Sequence, residues 1–597
     1  MKKAAAVILS FTFALCASGL SAQNYGNGLP ATDALGRRLP DRETVGPPRK
    51  RFGGLFYWTW HDNFADLQPH TPASVIAEHP EAARDYDHAA WPAGVHTFFW
   101  GEPLFGFYRD TDRWVLRKHA EMLADAGVDA LFFDCTNGSF TWRESYMTLC
   151  EVFAEARRDG VKTPQIAFML AFGPTEGSLQ AIKEIYGDLY KPAEYEELFF
   201  EWEGKPLIMA YPEMLGDVEG DEAATRLHRE IREYFTFRPG QPLYNVGPQR
   251  PDHWGWLEIY PQHGFGPKPD GGFEQAVVGV AQNWTAARGL SAMNAEGAFG
   301  RSYTAANGHA SSSDAELRGL NFQEQWERAL EIDPGFIFIT GWNEWVAGRH
   351  REWSGLENAF PDQFDREHSR DIEPMRGGHG DNYYYQMAAN IRRFKGMPEV
   401  DFVGSAPRRI RIDGRFDDWR DVKPKYEASR GNAVRRDSRG WGDIVYRDSS
   451  ARNDIVAAKV ARDDRYVYFL AECADDITPP DGGAWMRLFI DIDRDRSTGW
   501  EGYDFAVNRL APDGKAVVER SRDGWNWSRI CSADFRVEGR AMELRIPREA
   551  LGLDRVEDFE FEFKWVDNTR RDREISDFWV SGDCAPAGRY NYLYKTK

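Results

Sequence analysis

Between Gly53 and Gly396 the chain alternates short apolar runs with stretches of helical periodicity, and it does so eight times. The runs are Gly53–Trp60 (GGLFYWTW), Val128–Asp134, Gln165–Phe172, Pro206–Tyr211, Tyr234–Arg238, Trp254–Gln262, Gln275–Asn283 and the one that opens at Gly335 (GFIFIT). They are β-branched, aromatic and apolar on both faces, the pattern of strands covered on both sides. Helical periodicity fills Asp112–Ala126, Trp142–Arg158, Ser178–Tyr190, Glu222–Glu233 and Phe322–Ile332, and a further helix, Asn382–Lys395, closes the region. Strands alternating with helices imply a parallel sheet, and eight such units imply a closed (β/α)8 TIM barrel with insertions. A doubly wound open sheet is the alternative, but no glycine-rich phosphate loop follows the first strand.

After Gly396 the pattern changes. From about Arg408 short alternating segments (RIRIDG, YVYFLAECADD, WMRLFIDID, YDFAVNR, MELRIP, FEFKWVD) are separated by Gly, Asp, Asn and Pro turns. This predicts an antiparallel β-sandwich. The expected organisation is a lead-in over 23–50, the barrel over 51–397, a hinge near Met397-Pro398, and the sandwich over 405–597. At 597 residues the chain is too long for one core, which agrees.

The N-terminus, MKKAAAVILSFTFALCASGLSAQ, has a charged start, an apolar run and small residues leading to a cut after Ala22, the pattern of a bacterial secretory signal over 1–22. Leu15 before Cys16 disfavours a lipoprotein signal, and no later stretch is apolar enough to span a bilayer. The expected location is periplasmic or extracellular. The remaining five cysteines are scattered, with neither a disulfide framework nor zinc spacing. A net charge of -20 argues against nucleic acid and anionic membranes as partners.

The chemistry gathers at predicted strand ends, where α/β barrels keep their active sites. Trp342, Asn343, Glu344, Trp345 and Arg349 follow the eighth run; Asp62, Asp134 and Glu258 follow earlier ones, with Asp371 and Glu373 on the next loop. Glycosidic cleavage needs one carboxyl group to protonate the leaving oxygen and a second to act as base or nucleophile. Glu344 and Glu258 are the first candidates, with Asp134 supporting. Trp58, Trp60, His61, Trp100, Trp254, Trp256 and Gln262 fall at the same end. Aromatic faces bind the C–H faces of sugars, and with 22 Trp the grouping, rather than any single indole, points to a glycan. In the second domain Asp491, Asp493 and Asp495, spaced two apart, with Asp504 nearby, suit a structural calcium. No organic cofactor is implied.

The motifs FYWTW, WGEPLFGFY, AGVDALFFDCTNG, GKPLI and ITGWNEW make the region from about Gly53 to Gly396 resemble proteins similar to family 99 glycoside hydrolases, the endo-acting α-mannosidases and mannanases. That resemblance implies that Glu344 acts as base on the sugar's own 2-hydroxyl in a retaining mechanism. The family's second acidic residue, three positions later, falls on Ala347, which cannot protonate anything. Either Glu258, Asp134, Glu352 or Asp371 supplies the acid, or the barrel only binds. IDGRFDDW, YVYFLAECADD and FIDIDRDRSTGWEGYDF make the second domain resemble a family 9 carbohydrate-binding module. The resemblance supports the calcium and makes Trp441, Trp485, Trp525 and Trp527 candidates for a sugar platform. The expected function is an exported glycoside hydrolase acting on a polysaccharide or glycan, with Trp342, Asn343, His61 and Arg349 orienting hydroxyls. A non-catalytic glycan-binding protein is the main rival, and a lyase, which needs a Lys, Tyr or His base, is third.

Overall fold

The computed structural model describes residues 23–480 and 482–597; the expected export signal lies outside the described residues. The chain is a mixed α/β protein: a curled parallel sheet, then a nearly closed antiparallel β-barrel or sandwich. We label the parallel strands β1 (Phe52–Tyr57), β2 (Ala130–Cys135), β3 (Gln165–Leu170), β4 (Lys205–Met209), β5 (Thr236–Phe237), β6 (Trp254–Gly255), β7 (Phe273–Gly279) and β8 (Phe336–Thr340). The longer helices are α1 (Arg113–Ala126), α2 (Arg143–Arg158), α3 (Glu176–Ile185), α4 (Glu222–Tyr234), α5 (Leu320–Ile332) and α6 (Asn382–Lys395).

Backbone pairing runs β7-β8-β1-β2-β3-β4-β5, all parallel. The expected strand Trp254–Gln262 shrinks to two residues, β6, which pairs with Gly240–Gln241 just after β5. Toward β7 there is a side-chain clasp in place of a ladder. The fully buried Gln275 amide accepts from Gly255 N at 2.9 Å and donates to Gly255 O at 2.7 Å. A side-chain amide has the same donor and acceptor as a peptide, so Gln275 satisfies the two backbone groups a ladder would have paired.

The sequence explains why these strands lie so close. A Cβ on Gly54 would fall 2.3 Å from the Phe336 ring and 2.7 Å from that of Phe132, so the neighbouring phenylalanines fill the space glycine leaves. Helix α1 starts as its sequence demands: Asp112 caps it by accepting from Trp114 N, and Gly127 ends it in the left-handed conformation. Lys395, buried at the end of α6, meets Asp129 at 2.5 Å, and Asp129 also accepts from Asn24 N and Gly53 N. The lead-in is thus tied to the parallel sheet.

In the second domain one antiparallel sheet of 11 strands covers Lys425–Lys595. Near its closure, Ile455 N donates to Asp583 Oδ2. Contacts between the two halves of the chain flank the Met397-Pro398 connection, the expected hinge. Arg589 pairs with Asp381 at 2.8 Å, Arg436 with Asp112 at 2.6 Å, both among buried groups, and Trp579 and Tyr590 pack in the apolar core of the parallel-sheet half. The five described cysteines are unbridged. Among the described residues no helix is long and apolar enough to cross a membrane.

Replacing Gln275 with Leu strands the Gly255 N–H and C=O in the interior. Each orphaned group costs roughly 1–3 kcal/mol, so the full chain should melt at a clearly lower temperature than the wild type. An unchanged melting temperature would mean that the clasp is dispensable.

Candidate active site

Strand β8 stops at Thr340 because Gly341 turns the chain at φ +103°. A Cβ there would lie 2.3 Å from the Arg370 carbonyl. The turn lays Trp342–Trp345 across the ends of the neighbouring strands. Trp342 N donates to Phe56 O, and the Asn343 side chain clasps the peptide of Trp58: it accepts from Trp58 N at 2.8 Å and donates to Trp58 O at 3.1 Å. Asp371 Oδ1 accepts from Glu344 N at 2.6 Å, and its Oδ2 accepts from Trp100 Nε1 at 2.9 Å. The Trp100 ring lies flat on Trp345, centroids 4.5 Å apart. Glu373, fully buried, accepts from Trp345 Nε1 and Tyr108 OH and meets His119 Nε2 at 2.9 Å. Asp371 and Glu373 therefore hold the loop from behind.

In front of that loop is a cavity of about 330 Å³, lined by Glu344, Asp362, Arg370 and Asp134, with Trp58, Trp60, Trp142, Phe140 and Trp256 among its aromatic walls. Glu344 is 2% exposed. Its Oε2 accepts from Gln363 Nε2 at 2.9 Å and from Arg370 Nη2 at 3.0 Å. The same Nη2 reaches Oδ1 of half-exposed Asp362 at 3.1 Å, so one nitrogen bridges two carboxylates. Burial pushes the Glu344 carboxyl well above its ordinary range; Arg370 pulls it back, while Asp362 and Asp371 add to the rise. Asp134, at the end of β2, accepts from Trp60 Nε1 at 3.2 Å and from Thr136 N at 3.0 Å, and burial raises its pKa too.

The aromatic wall is a ladder. Trp58 stacks on Trp60 at 4.0 Å, Trp60 on Trp142 at 5.8 Å and Trp142 on Phe140 at 5.2 Å. It climbs from buried Trp58 to Phe140, which is 60% exposed. Trp142 holds φ +56°, the left-handed region a bulky residue rarely enters. Strain of that kind persists only where the surroundings impose it.

The cavity brings together Glu344, Asp134, Trp58, Trp60 and Trp256 from the sequence-derived set. The others lie elsewhere. Glu258 is fully buried beyond β6, with His263 Nδ1 at 2.9 Å and His263 N at 3.0 Å. Trp254 packs on Trp202 and Phe336 and donates to Glu274; Trp342 packs against His119 and Tyr384. His61 pairs with Asp110 at 2.6 Å; burial works against its cation, but Asp110 holds its pKa above normal. Asp62 accepts from Asp110 N and Thr111 Oγ1, which ties down the same loop. Arg349 lies between the Tyr86 and Trp91 rings, 4.1 Å from each centroid, where it clamps the insertion. Gln262 is buried, and its amide has no hydrogen-bond partner. Glu352 is exposed on the strand His350–Trp353. Ala347 lies in a small apolar core with Trp91, Phe98 and Phe360, where a carboxylate would find no solvent.

Sequence reading missed Asp362, Arg370, Trp142 and Phe140. Arg370 precedes the chosen Asp371 by one residue. Trp142 and Phe140 flank the start of α2, where aromatics look like helix-packing residues.

In the second domain ligand atoms of Asp491, Asp493 and Asp504 lie within 4.8 Å of one another. Burial, reinforced by Glu562, lifts Asp491 to about 8. A Cβ on Gly502 would press within 3.3 Å of Asp491 Oδ2, so the turn fits closely round these oxygens. Three hard oxygens in a tight loop fit a calcium ion. Asp495 faces away, accepting from Ser497 N and Oγ. His79, Glu81 and His88 also converge. However, Ala90 N donates to His88 Nδ1, which leaves the proton on Nε2 facing Glu81, 3.3 Å away, as in a hydrogen-bonded pair. Of the sugar-platform tryptophans, Trp441 and Trp485 are fully buried, whereas Trp525 and Trp527 are partly buried and pack against a buried cluster that holds Phe489 and Trp500.

The chain matches no family model and no curated protein. Among solved structures it is similar to two of the GH99 endo-α-mannosidase from Bacteroides thetaiotaomicron, one in complex with bis-tris propane. Identity is 19% and 16%, over 57% and 58% of this chain and 97% and 98% of that chain, and the TM-score is 0.31 for both. So low a TM-score transfers neither fold detail nor mechanism.

The Glu258 carboxyl gives a pH prediction. It takes up its proton at about 7, against 4.5 when free, because burial disfavours the anion. The folded chain thus binds a proton that the unfolded chain releases, and stability falls as pH rises from about 4.5 to 7. A shift of this size corresponds to about 3 kcal/mol. Glu258→Gln should flatten that fall in urea denaturation; an unaltered slope would contradict this reading of Glu258.

Proposed function

We propose that the protein is an exported glycoside hydrolase that cuts a polysaccharide or glycan. In this reading residues 51–397 work as a (β/α)8 barrel, with the Gln275 clasp standing in for the last ladder, and 405–597 as a glycan-binding module. The observation that carries the reading is the meeting of an aromatic ladder with three carboxyl groups, Glu344, Asp362 and Asp134, in one cavity. A sugar ring packs its C–H groups against the aromatic wall that Trp60, Trp142 and Phe140 form and places a glycosidic bond at Glu344. Glu344 acts as the basic carboxylate, with Arg370 as the countercharge that opposes the effect of burial on it. Asp362, half-exposed and joined to the same guanidinium, takes the acid's place left empty at Ala347, with Asp134 beside Trp60 as its alternative. No Lys, Tyr or His is among the cavity-lining residues described, which disfavours the lyase.

Release of reducing ends from a panel of plant, algal and microbial polysaccharides tests this. Glu344→Gln should lower the rate by about 10²–10⁴-fold, the usual worth of one acid–base group, and Asp362→Asn should lower it comparably. Full activity in Glu344→Gln would remove that residue from the mechanism. Ala347 and the doubly paired Arg370 favour one rival, a barrel that only binds; glycan binding without cleavage would select it.

For the second domain we propose a structural calcium on Asp491, Asp493 and Asp504, and a sugar contact at Trp525 and Trp527. Chelation should lower the melting temperature of the full chain, and added calcium should restore it. No shift on chelation would dismiss the ion.

A further inference from the structure

The hairpin formed by the strands Arg436–Arg439 and Val445–Asp448 belongs to the second half of the chain, yet it pairs with no strand of the large antiparallel sheet. It lies among the loops of the barrel. Trp441 N donates to Phe107 O at 3.0 Å, Gly442 N to Ala65 O at 2.8 Å, and Arg109 Nε to Gly440 O at 3.0 Å. Arg436 donates to Asp112 Oδ2 from Nη2 at 2.6 Å and from Nε at 2.9 Å, and to Phe105 O from Nη1 at 2.8 Å. The pair is almost dry, with side chains 6% and 1% exposed. Trp441 is fully buried, its ring edge-on to Phe99 with centroids 4.6 Å apart.

Phe99 is where this contact reaches the cavity. The short strand Thr97–Phe99 pairs antiparallel with Val346–Gly348, with Phe99 opposite Val346. The next residue, Trp100, donates from its backbone N to Trp345 O at 3.2 Å and from Nε1 to Glu344 O at 3.1 Å. From Trp441 to Glu344 there are therefore only Phe99, one residue of chain and one indole. Buried aromatic contacts of this kind are close-packed and pass a displacement on to their neighbours.

We propose that this hairpin is a built-in part of the catalytic face, and that Trp441 and Arg436 are positioning residues for the Glu344 loop. Trp441 acts through Phe99 and Trp100. Arg436 acts through Asp112 and Phe105, which hold the segment that continues from Trp100. The second half of the chain then has a duty separate from any sugar binding of its own: without the hairpin, the strand behind Glu344 loses its backing.

Hydrogen exchange read by mass spectrometry on the full chain tests this, and it needs no activity. In Trp441→Ala and in Arg436→Met, peptides covering 97–101 and 342–348 should exchange about tenfold faster or more, while peptides of β2 and β3 keep the wild-type rate. Trp441→Phe, which keeps a ring against Phe99, should restore most of the protection. If Trp441→Ala fails to fold, Arg436→Met decides. Wild-type exchange in 97–101 and 342–348, or equal acceleration throughout the barrel, would overturn the proposal. The kinetic arm rests on the glycosidase reading: kcat should fall about tenfold with KM nearly unchanged, the pattern of a group that is misplaced for the chemistry but not for binding. If the wild type cuts nothing, that reading fails, and the exchange data still decide this one.

Discussion

The clasp of the Asn343 amide on the peptide of Trp58 is the interaction on which the rest of the site depends. It joins the exits of β8 and β1, the two strands whose ends carry Glu344 and the foot of the aromatic ladder. A side chain can do this only because a carboxamide matches a peptide in donor and acceptor. Gln275 uses the same device at Gly255. In both places a ladder cannot continue, and a buried amide supplies the missing bonds. Either substitution to an apolar residue would orphan backbone groups, which is costlier than the bonds themselves are worth.

Behind that clasp the polar groups form layers with different duties. Asp371 and Glu373 accept from backbone and indole donors, so their charge is spent on holding the loop. Glu344, one layer forward, has one oxygen committed, to Gln363 and Arg370. Its protonation is set by opposition: burial favours the neutral acid and Arg370 the anion. A sugar that expels the remaining water from the cavity strengthens both influences. Asp362, half in solvent, lies on the same guanidinium.

The alternating pattern located the eight labelled parallel segments of a curled sheet, though not Gly240–Gln241, because runs such as FIFIT and ALFFDC are apolar on both faces and read the same in any register. Lengths were less legible. Trp254–Gln262 looked like one strand, but β6 ends at Gly255, and Glu258 then turns inward to His263. The site was half legible. Glu344, Asp134, Trp58 and Trp60 follow strands directly, so position alone marked them. Asp362 and Arg370 come from the long loop after β8, whose path nothing in the local sequence fixes. Trp342, Trp345 and Trp254 were misread because an indole at a strand end can face either the core or the cavity, and a single sequence does not say which. The contacts across the Met397-Pro398 connection were illegible for a related reason: Arg436 and Asp112 are hundreds of residues apart, and local composition carries no trace of their pairing.

The central claim is that a glycan is bound along the Trp58–Trp60–Trp142–Phe140 ladder with its scissile bond at Glu344. The most direct measurement is a crystal structure of Glu344→Gln soaked with the longest oligosaccharide that the wild type trims. The account predicts a sugar ring against the aromatic wall of Trp60, Trp142 and Phe140, with a glycosidic oxygen within hydrogen-bond reach of residue 344 or of Asp362. Sugar bound only at Trp525 and Trp527, with the barrel cavity free of it, would contradict the account.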